Sequence, residues 1–516
     1  MNTSTDKFNY LILIFGVSLI TSVFAKFSDA VGIQSALLFL LGITFFFTIN
    51  NNILKYKNYV LPLLFFVLYA VFSYYSADFQ YNARNGIMLL SYCSCAYLLT
   101  GFLKPYDKRS ILLIPVFIGL WLTIFLFASN VTFAGYMESA GALSKSTHAT
   151  AGFLILALCL SFVFWQNERK IYIYTSFIIL TAVILTKSFY AIGLAFLACG
   201  IFLFFMRSKI KIKTHLLVLP FLAVSAAAFY QAFKSGYFAP KIISWQTAVS
   251  VVKDNLLMGT GFCNYSVVSG SYAKIASADV SQTENLFLQL IAETGIPGLV
   301  LFAAILAVFF ILAAKKIKNI ENRVTHLPVM LAVIFFIAYN MFESTAFIST
   351  NMLVFFILLS FPLETSEIKT RKIKINTYIA ILLIIPFLYI LAVPFLALSD
   401  YKKGIMLFTV NKYTAACGQY LKALEKDALN PAYASKLSDA YFAISQKENT
   451  LLNLDKAIEY KKFALSLNKW EGKYYYDLAW LYKQKGEKRL ASDNIIKALE
   501  MDPFDKQFME SYELVY

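Results

Sequence analysis

Runs of about 17 to 22 apolar residues recur through the first 400 residues, and a run of that length crosses the bilayer core as a helix. Thirteen are present, near 8–25, 31–49, 58–77, 85–103, 110–129, 148–166, 170–186, 188–206, 215–232, 296–314, 327–341, 344–362 and 377–398. Hydrophobic residues make up 59% of the chain and charged residues only 15%, more apolar surface than a water-soluble domain could bury. The expected fold class is therefore all-α, a polytopic membrane bundle of about 13 spans. Two pairs of spans turn tightly, at Lys187-Ser188 and around Glu343. The first run, Phe8 to Ala25, lacks a small-residue cleavage site and is expected to be a span and not a removed signal peptide.

The basic residues set an orientation. With the N-terminus in the cytoplasm, inward segments hold 20 Lys and Arg, while the short outward loops hold Lys26, Arg84, Lys145 and Lys187. That alternation follows the positive-inside rule and places both the 233–295 loop and everything after residue 400 outside the cytoplasm. It also accounts for the formal charge of +16 without a nucleic-acid partner. Of the six cysteines, Cys93, Cys95, Cys159 and Cys199 fall in apolar runs, leaving only Cys263 and Cys417 outside them. No disulfide framework and no zinc-ligand spacing results; neither a metal nor another cofactor is expected.

Transporters and proton pumps keep ionisable residues inside their spans. Here the middles of the spans are nearly free of them, and Arg84, His148, Lys187, Lys241, Glu284 and Glu343 gather at the outward ends. Arg84 and Lys187, on the side where positives are scarce, suit the binding of an anion such as a pyrophosphate.

The longest water-facing piece of the membrane half runs from Lys241 to Gly298. Pro240 to Asn255 is predicted helical, with Trp245, Val249 and Val252 near one face. Gly259, Gly261 and Asn264 form a turn through which backbone can approach another group closely. Ser281 or Thr283 is expected to cap a helix from Glu284, and Gly295-Ile-Pro-Gly298 to break it before the next span. Near a helix start at the outer surface, Glu284 could take a proton from an acceptor hydroxyl, or simply complement the helix dipole.

From about Tyr401 the composition turns charged and Tyr-rich. Ala464-Leu465 and Ala498-Leu499 are 34 residues apart in matching contexts, and YLKALEKDALNP at 420–431 repeats the theme 41 residues earlier. That period resembles tetratricopeptide repeats. The expected domains are 1–399, a membrane domain carrying the large loop, and 400–516, a helical repeat domain outside the cytoplasm.

The order of features resembles the O-antigen ligase family, related to O-antigen polymerases and bacterial protein O-oligosaccharyltransferases. A dozen spans precede a large outer loop with a basic residue four before a Trp (Lys241, Trp245). The turn GTGFCNYS follows, then LFLQLIAETGIPG with Glu293, Gly295 and Gly298 in place; upstream, LTKSFYAIG (185–193) resembles a family segment that usually reads Ser-Arg. The resemblance covers roughly 140–300. It implies a glycosyltransferase in the bacterial inner membrane, metal-independent and inverting. Its donor would be an undecaprenyl-diphosphate-linked glycan and its acceptor a hydroxyl on lipid A-core, with polymerase or protein glycosylation as alternatives.

The C-terminal repeats would offer a surface to a protein partner. A different class, a lipid-linked glycan transporter or non-catalytic scaffold, would be indifferent to changes at Arg84 and Glu284. In the family, arginines hold the pyrophosphate and a His before the loop Asn assists the acceptor. Here Glu284 stands in that His position before Asn285, Lys241 stands for an Arg, and Phe189 follows Ser188 where Arg is usual. The implied catalytic residue is Glu284. The implied substrate-binding set is Arg84, Lys187, Lys241, His148, Asn264, Asn285, Gly259 and Gly261.

Overall fold

The computed structural model describes residues 66, 69, 79–101, 105–132, 147–167, 170–206, 214–273, 281–346, 348–363, 394, 396–448 and 450–515. The expected spans at 8–25 and 31–49, and most of those at 58–77 and 377–398, lie outside these residues. Among the described residues the chain is all-helical, without strands.

The membrane half is built around α4 (Thr147–Ser161), whose residues from Ala149 onward are all buried. A helix apolar on every face must be enclosed on every face. The enclosing helices are α3 (Leu113–Thr132), α5 (Lys170–Leu185), α6 (Phe189–Phe205), α11 (Ile320–Tyr339) and α12 (Ser349–Ser360). α1 (Gln80–Gly101) packs on α12, and α7 (Thr214–Lys234) on α6. Stacked Phe162 and Phe202, with centroids 4.3 Å apart, and Trp165 edge-on to both fill one end of the core. Phe117, Ile124, Ile171, Phe177, Val300 and Ile311 are exposed instead. Outward apolar side chains at this density suit lipid as the surrounding medium.

Thr147–Trp165, Leu286–Ile317 and Asn322–Tyr339 are long and apolar enough to cross a membrane; Ile171–Leu185, Phe189–Phe205, Val218–Lys234 and Thr350–Ser360 are apolar but shorter. Charged groups segregate to opposite ends of α4. On α2 (Pro105–Ile111), Lys108 donates to the carbonyl of Leu363 and Arg109 to that of Val163, just past the end of α4. His148 sits at its start.

The loop folds as α8 (Ala239–Asp254), a turn, α9 (Tyr265–Val268) and the first turns of α10 (Leu286–Ile317). Lys241, Ser244, Thr247, Ala248 and Val251 make the buried face of α8. The expected face of Trp245, Val249 and Val252 is rotated from this, and Val249 is exposed. The rotation has a cause. A buried Lys with local partners packs where periodicity alone assigns only apolar residues. α10 is capped by neither Ser281 nor Thr283. Asn285 is the cap, its side-chain oxygen accepting from the amides of Phe287 and Leu288, so Glu284 precedes the helix. The expected break appears at Gly295, where φ is 66°.

Beyond a helical stretch at 396–409, six helices form the C-terminal half: α13 (Tyr413–Lys426), α14 (Pro431–Glu448), α15 (Leu451–Leu467), α16 (Gly472–Lys485), α17 (Lys488–Met501) and α18 (Lys506–Val515). The suspected repeat is visible at three helix ends. Asp427, Asn468 and Asp502 each donate a backbone N–H, at 3.0 Å, to the carbonyls of Ala423, Ala464 and Ala498 respectively. Each of those alanines is fully buried. Gly486 ends α16 in the left-handed conformation, at φ 85°, as a helix-ending glycine does.

These equivalent turns meet the membrane half in a row. Arg84 of α1 grips Asp427 with both terminal nitrogens, at 2.7 and 2.8 Å. Trp470 shares a cleft with the end of α8. The carbonyl of Met501 lies within 3.2 Å of where a side chain on Gly270 would begin.

Candidate functional site

The sequence brings four of its outward ionisable groups into one cluster. Glu343, in the α11–α12 connection, is the hub and its side chain is 4% exposed. Its Oε1 accepts from Lys241 Nζ at 3.1 Å, pairs with His148 Nδ1 at 3.1 Å, and accepts a short hydrogen bond from Tyr237. Lys241 also reaches Glu284 Oε2 at 3.4 Å and lies 4.5 Å from the centroid of the Tyr237 ring. The indole N–H of Trp245 faces the Glu284 carbonyl at 3.5 Å. Behind them, Tyr190 packs on Tyr237 and Tyr339, and the Tyr339 hydroxyl donates to the His148 carbonyl at 3.0 Å.

The two carboxylates are tuned apart. Burial pushes Glu343 up, but the hydrogen bond and charge of His148, then Lys241 and Tyr237, outweigh it and hold the carboxyl below its ordinary value. Burial raises Glu284 above its ordinary value despite the pull of Lys241. The nearby Glu343 charge adds to the rise. Burial raises the Tyr237 hydroxyl well above its usual range, the Glu343 charge adding to it, so it stays a donor. Glu284 is also backbone-strained, with φ 51°, a left-handed conformation that costs a non-glycine residue about 1 kcal/mol or more. Its side chain is 29% exposed, open enough to meet a substrate. One carboxylate is a fixed, ionised anchor and the other is proton-accepting and accessible, the division acid–base chemistry uses.

Glu343 was counted among the outward ionisable groups but given no role from sequence, and Tyr237 was missed. The available signal was a carboxylate (NMFESTAF) in a turn between two apolar runs; nothing marked the tyrosine.

Lys187 is exposed on the turn before α6, in a left-handed conformation with φ 58°. The adjacent Ser188 caps α6, its side chain accepting from the Ala191 amide, and Tyr190 two residues on packs against Tyr237 and Tyr339, so this turn borders the cluster. Arg84 lies elsewhere. Its fork is closed on Asp427, a docking contact in place of the anion-binding role expected from its outward position. Asp427 is 2% exposed, and a buried carboxylate stripped of its partner costs about 3–5 kcal/mol. Arg84→Ala is expected to loosen the repeats, so that limited proteolysis releases them at least several-fold faster while the membrane half stays intact.

The remaining candidates make contacts within the loop and its neighbours. Thr260 and Gly261 donate backbone N–H groups to the carbonyls of Ala292 and Glu293. A side chain on Gly259 (φ 68°) would begin 2.3 Å from the Glu293 carbonyl, and one on Gly295 2.2 Å from that of Leu257. The close approach expected of this turn is therefore to the kink of α10. Buried Glu293 completes it, accepting from the Cys263 amide at 2.9 Å and from Gln289 at 2.8 Å. Asn264 is buried and donates to the Thr260 carbonyl. Asn285 caps α10 and donates to the Met341 carbonyl at 3.1 Å, tying Glu284 to the segment that carries Glu343. Among the described residues, no group of three or more His, Cys, Asp or Glu could hold a metal ion.

No curated protein matches the sequence. Among solved structures, tetratricopeptide domains and a secretion chaperone show similarity over about a quarter of this chain. The first tetratricopeptide domain of Spaghetti (RPAP3) bound to an HSP90 peptide is 23% identical, covering 23% of this chain and 89% of that one, with a TM-score of 0.21. The first such domain of human RPAP3 is 22% identical over 24% and 91%, with a TM-score of 0.22. The Yersinia enterocolitica type III secretion chaperone SycD, in complex with a YopD peptide, is 19% identical over 23% and 84%, with a TM-score of 0.20. Likeness at that level carries no argument, and the repeat reading stands on the chain's own equivalent turns. The membrane half matches a family model described as O-antigen ligase (Wzy_C) over residues 139–303. His148, Lys187, Lys241 and Glu284 all fall inside that stretch, which is similar to an O-antigen ligase domain.

Proposed function

We propose that the chain is a ligase-type membrane glycosyltransferase. It would move a glycan from an undecaprenyl-diphosphate carrier to a hydroxyl on lipid A-core or a similar surface glycolipid, at the outer face of the bacterial inner membrane. The observation that carries this reading is the convergence of Glu284, Lys241, His148 and Glu343 at one end of the bundle, three of the four from within the stretch similar to an O-antigen ligase domain.

The acceptor hydroxyl gives its proton to Glu284 as its oxygen attacks the anomeric carbon. The bond from that carbon to the diphosphate oxygen breaks, and the carrier diphosphate leaves from the opposite side with inversion. Lys241 and exposed Lys187 supply positive charge for the leaving group. Where relatives place a His before the loop Asn, this chain has Glu284. An imidazole reaches the cluster from another element, as His148 on α4, and it orients the acceptor together with Glu343. Arg84 is assigned to docking.

The near-absence of ionisable residues in the middles of the spans disfavours transport. The test is a gel of surface glycolipid from a deletion strain, with lipid-linked glycan extracted in parallel. The ligase reading expects loss of the long ladder with polymer stranded on its carrier. Ladders collapsed to one repeat would make it a polymerase, and an intact ladder would overturn glycolipid transfer in favour of a protein acceptor or no transfer at all.

A further inference from the structure

α8 and the start of α10 lie side by side. Lys241 and Trp245 are level with Glu284, while Ala248 and Val251 pack on Ala292. The ionisable cluster occupies the N-terminal ends of this pair. At the other end of α8, roughly 20 Å away at 1.5 Å per residue, is a second cleft of about 110 Å³. It is lined by Asp254, Asn255, Gly259, Thr260, Tyr272 and, from the repeat half, Trp470. The Tyr272 hydroxyl donates to Asp254 at 2.8 Å. The Lys469 ammonium lies 5.5 Å from the centroid of the Trp470 ring.

We propose that this cleft is a saccharide subsite, remote from Glu284, which holds a length of the glycan while its reacting end lies in the ionisable cluster. The chemistry of the lining selects the ligand. Asn255 Nδ2 donates to the Val251 carbonyl and Asp254 Oδ2 accepts from Tyr272, which leaves Asp254 Oδ1 and the Asn255 amide oxygen to meet hydroxyls, and an indole beside them accepts the apolar face of a sugar ring. A carboxylate at the wall disfavours a phosphate or diphosphate, so this is a place for the glycan and not for its carrier. The volume is several times that of one water, about 30 Å³, enough to admit part of a pyranose ring. The repeat half is fixed in place to contribute Trp470, because the equivalent turns on either side of it, at Asp427 and Met501, also rest on the membrane half. The repeats thus act as a wall of the glycan path.

This inference rests on the proposed function for its class of ligand, and the test separates the two. Full-length protein in detergent is applied to an array of bacterial surface polysaccharides, and transfer is assayed on the same preparation. Wild type is expected to bind at least one polysaccharide. Trp470→Ala should bind it about tenfold more weakly or worse, as the loss of an aromatic anchor gives, and Trp470→Phe should recover much of the binding. Tyr272→Phe, which leaves the ring in place, should weaken it less. Protease resistance of the repeats in each variant reports intact folding. No binding by wild type, or equal binding by a folded Trp470→Ala, overturns the subsite. Trp470-dependent binding without transfer keeps the subsite and sinks the transferase reading; transfer without such binding does the reverse.

Discussion

Glu284→Gln is expected to slow glycan transfer by orders of magnitude while leaving the protein folded. Loss of a positioned general base costs about 10²–10⁴ in rate. The amide keeps the size of the side chain and can still accept from Lys241, so the stability of the purified variant should stay close to wild type. The pH profile gives the sharper readout. Glu284 is held above its ordinary carboxylate value by burial, and only its ionised form accepts a proton. The wild-type rate should therefore rise with pH along a limb displaced above the ordinary range of about 4.3. Glu343, held low, ionises first and sets no limb in that window. In Glu284→Gln the residual rate should lose the limb altogether. Transfer at wild-type rate, or a limb that survives the substitution, would remove Glu284 from the role of base.

Much of this arrangement was legible in the sequence, and the boundary of legibility has physical causes. Apolar periodicity and the end-to-end alternation of Lys and Arg marked the helices and the end at which ionisable groups collect, because burial and topology act residue by residue. Glu284, Lys241 and His148 were picked for their place at that end, and they do meet. Glu343 was noted as a turn residue and as one of the outward ionisable groups, without a role in the site. Its importance comes from three partners, each on a different element, and no local pattern records such a convergence. The motif glycines show a packing role that the sequence did not separate from a ligand-facing one. Gly259 and Gly261 were read as ligand-facing because close backbone approach is a ligand signature, yet the backbone they approach is the kink of α10. Arg84 was equally ambiguous in the sequence. An outward cation suits an anion, and the anion it found is a carboxylate 343 residues further along the chain.

The second large effect concerns Lys241, which is 8% exposed and is shared by Glu343 and Glu284. Lys241→Met keeps the length of the side chain and its packing on the buried face of α8 but removes the only lysine of the cluster. Two carboxylates are then left facing one another, with His148 and Tyr237 as the remaining donors. Breaking a buried ion pair from one side costs about 3–5 kcal/mol, and here the cost must depend on pH. Without the cation both carboxyls bind protons more tightly than they do in the wild-type protein, and Glu284, already raised by burial, moves further up. A group whose folded pKa is raised loses stability as pH climbs through it and regains it on acidification. The melting temperature of Lys241→Met in detergent should fall furthest below wild type at pH 8, and the gap should narrow towards pH 5. The acid limb of any residual transfer should move to still higher pH, because Glu284 has lost the charge that favoured its ionised form. Lys241→Arg, which keeps the charge, should recover most of the stability. A deficit equal at both pH values would mean that Lys241 acts through packing alone, and the coupling of the two carboxylates through it would have to be abandoned.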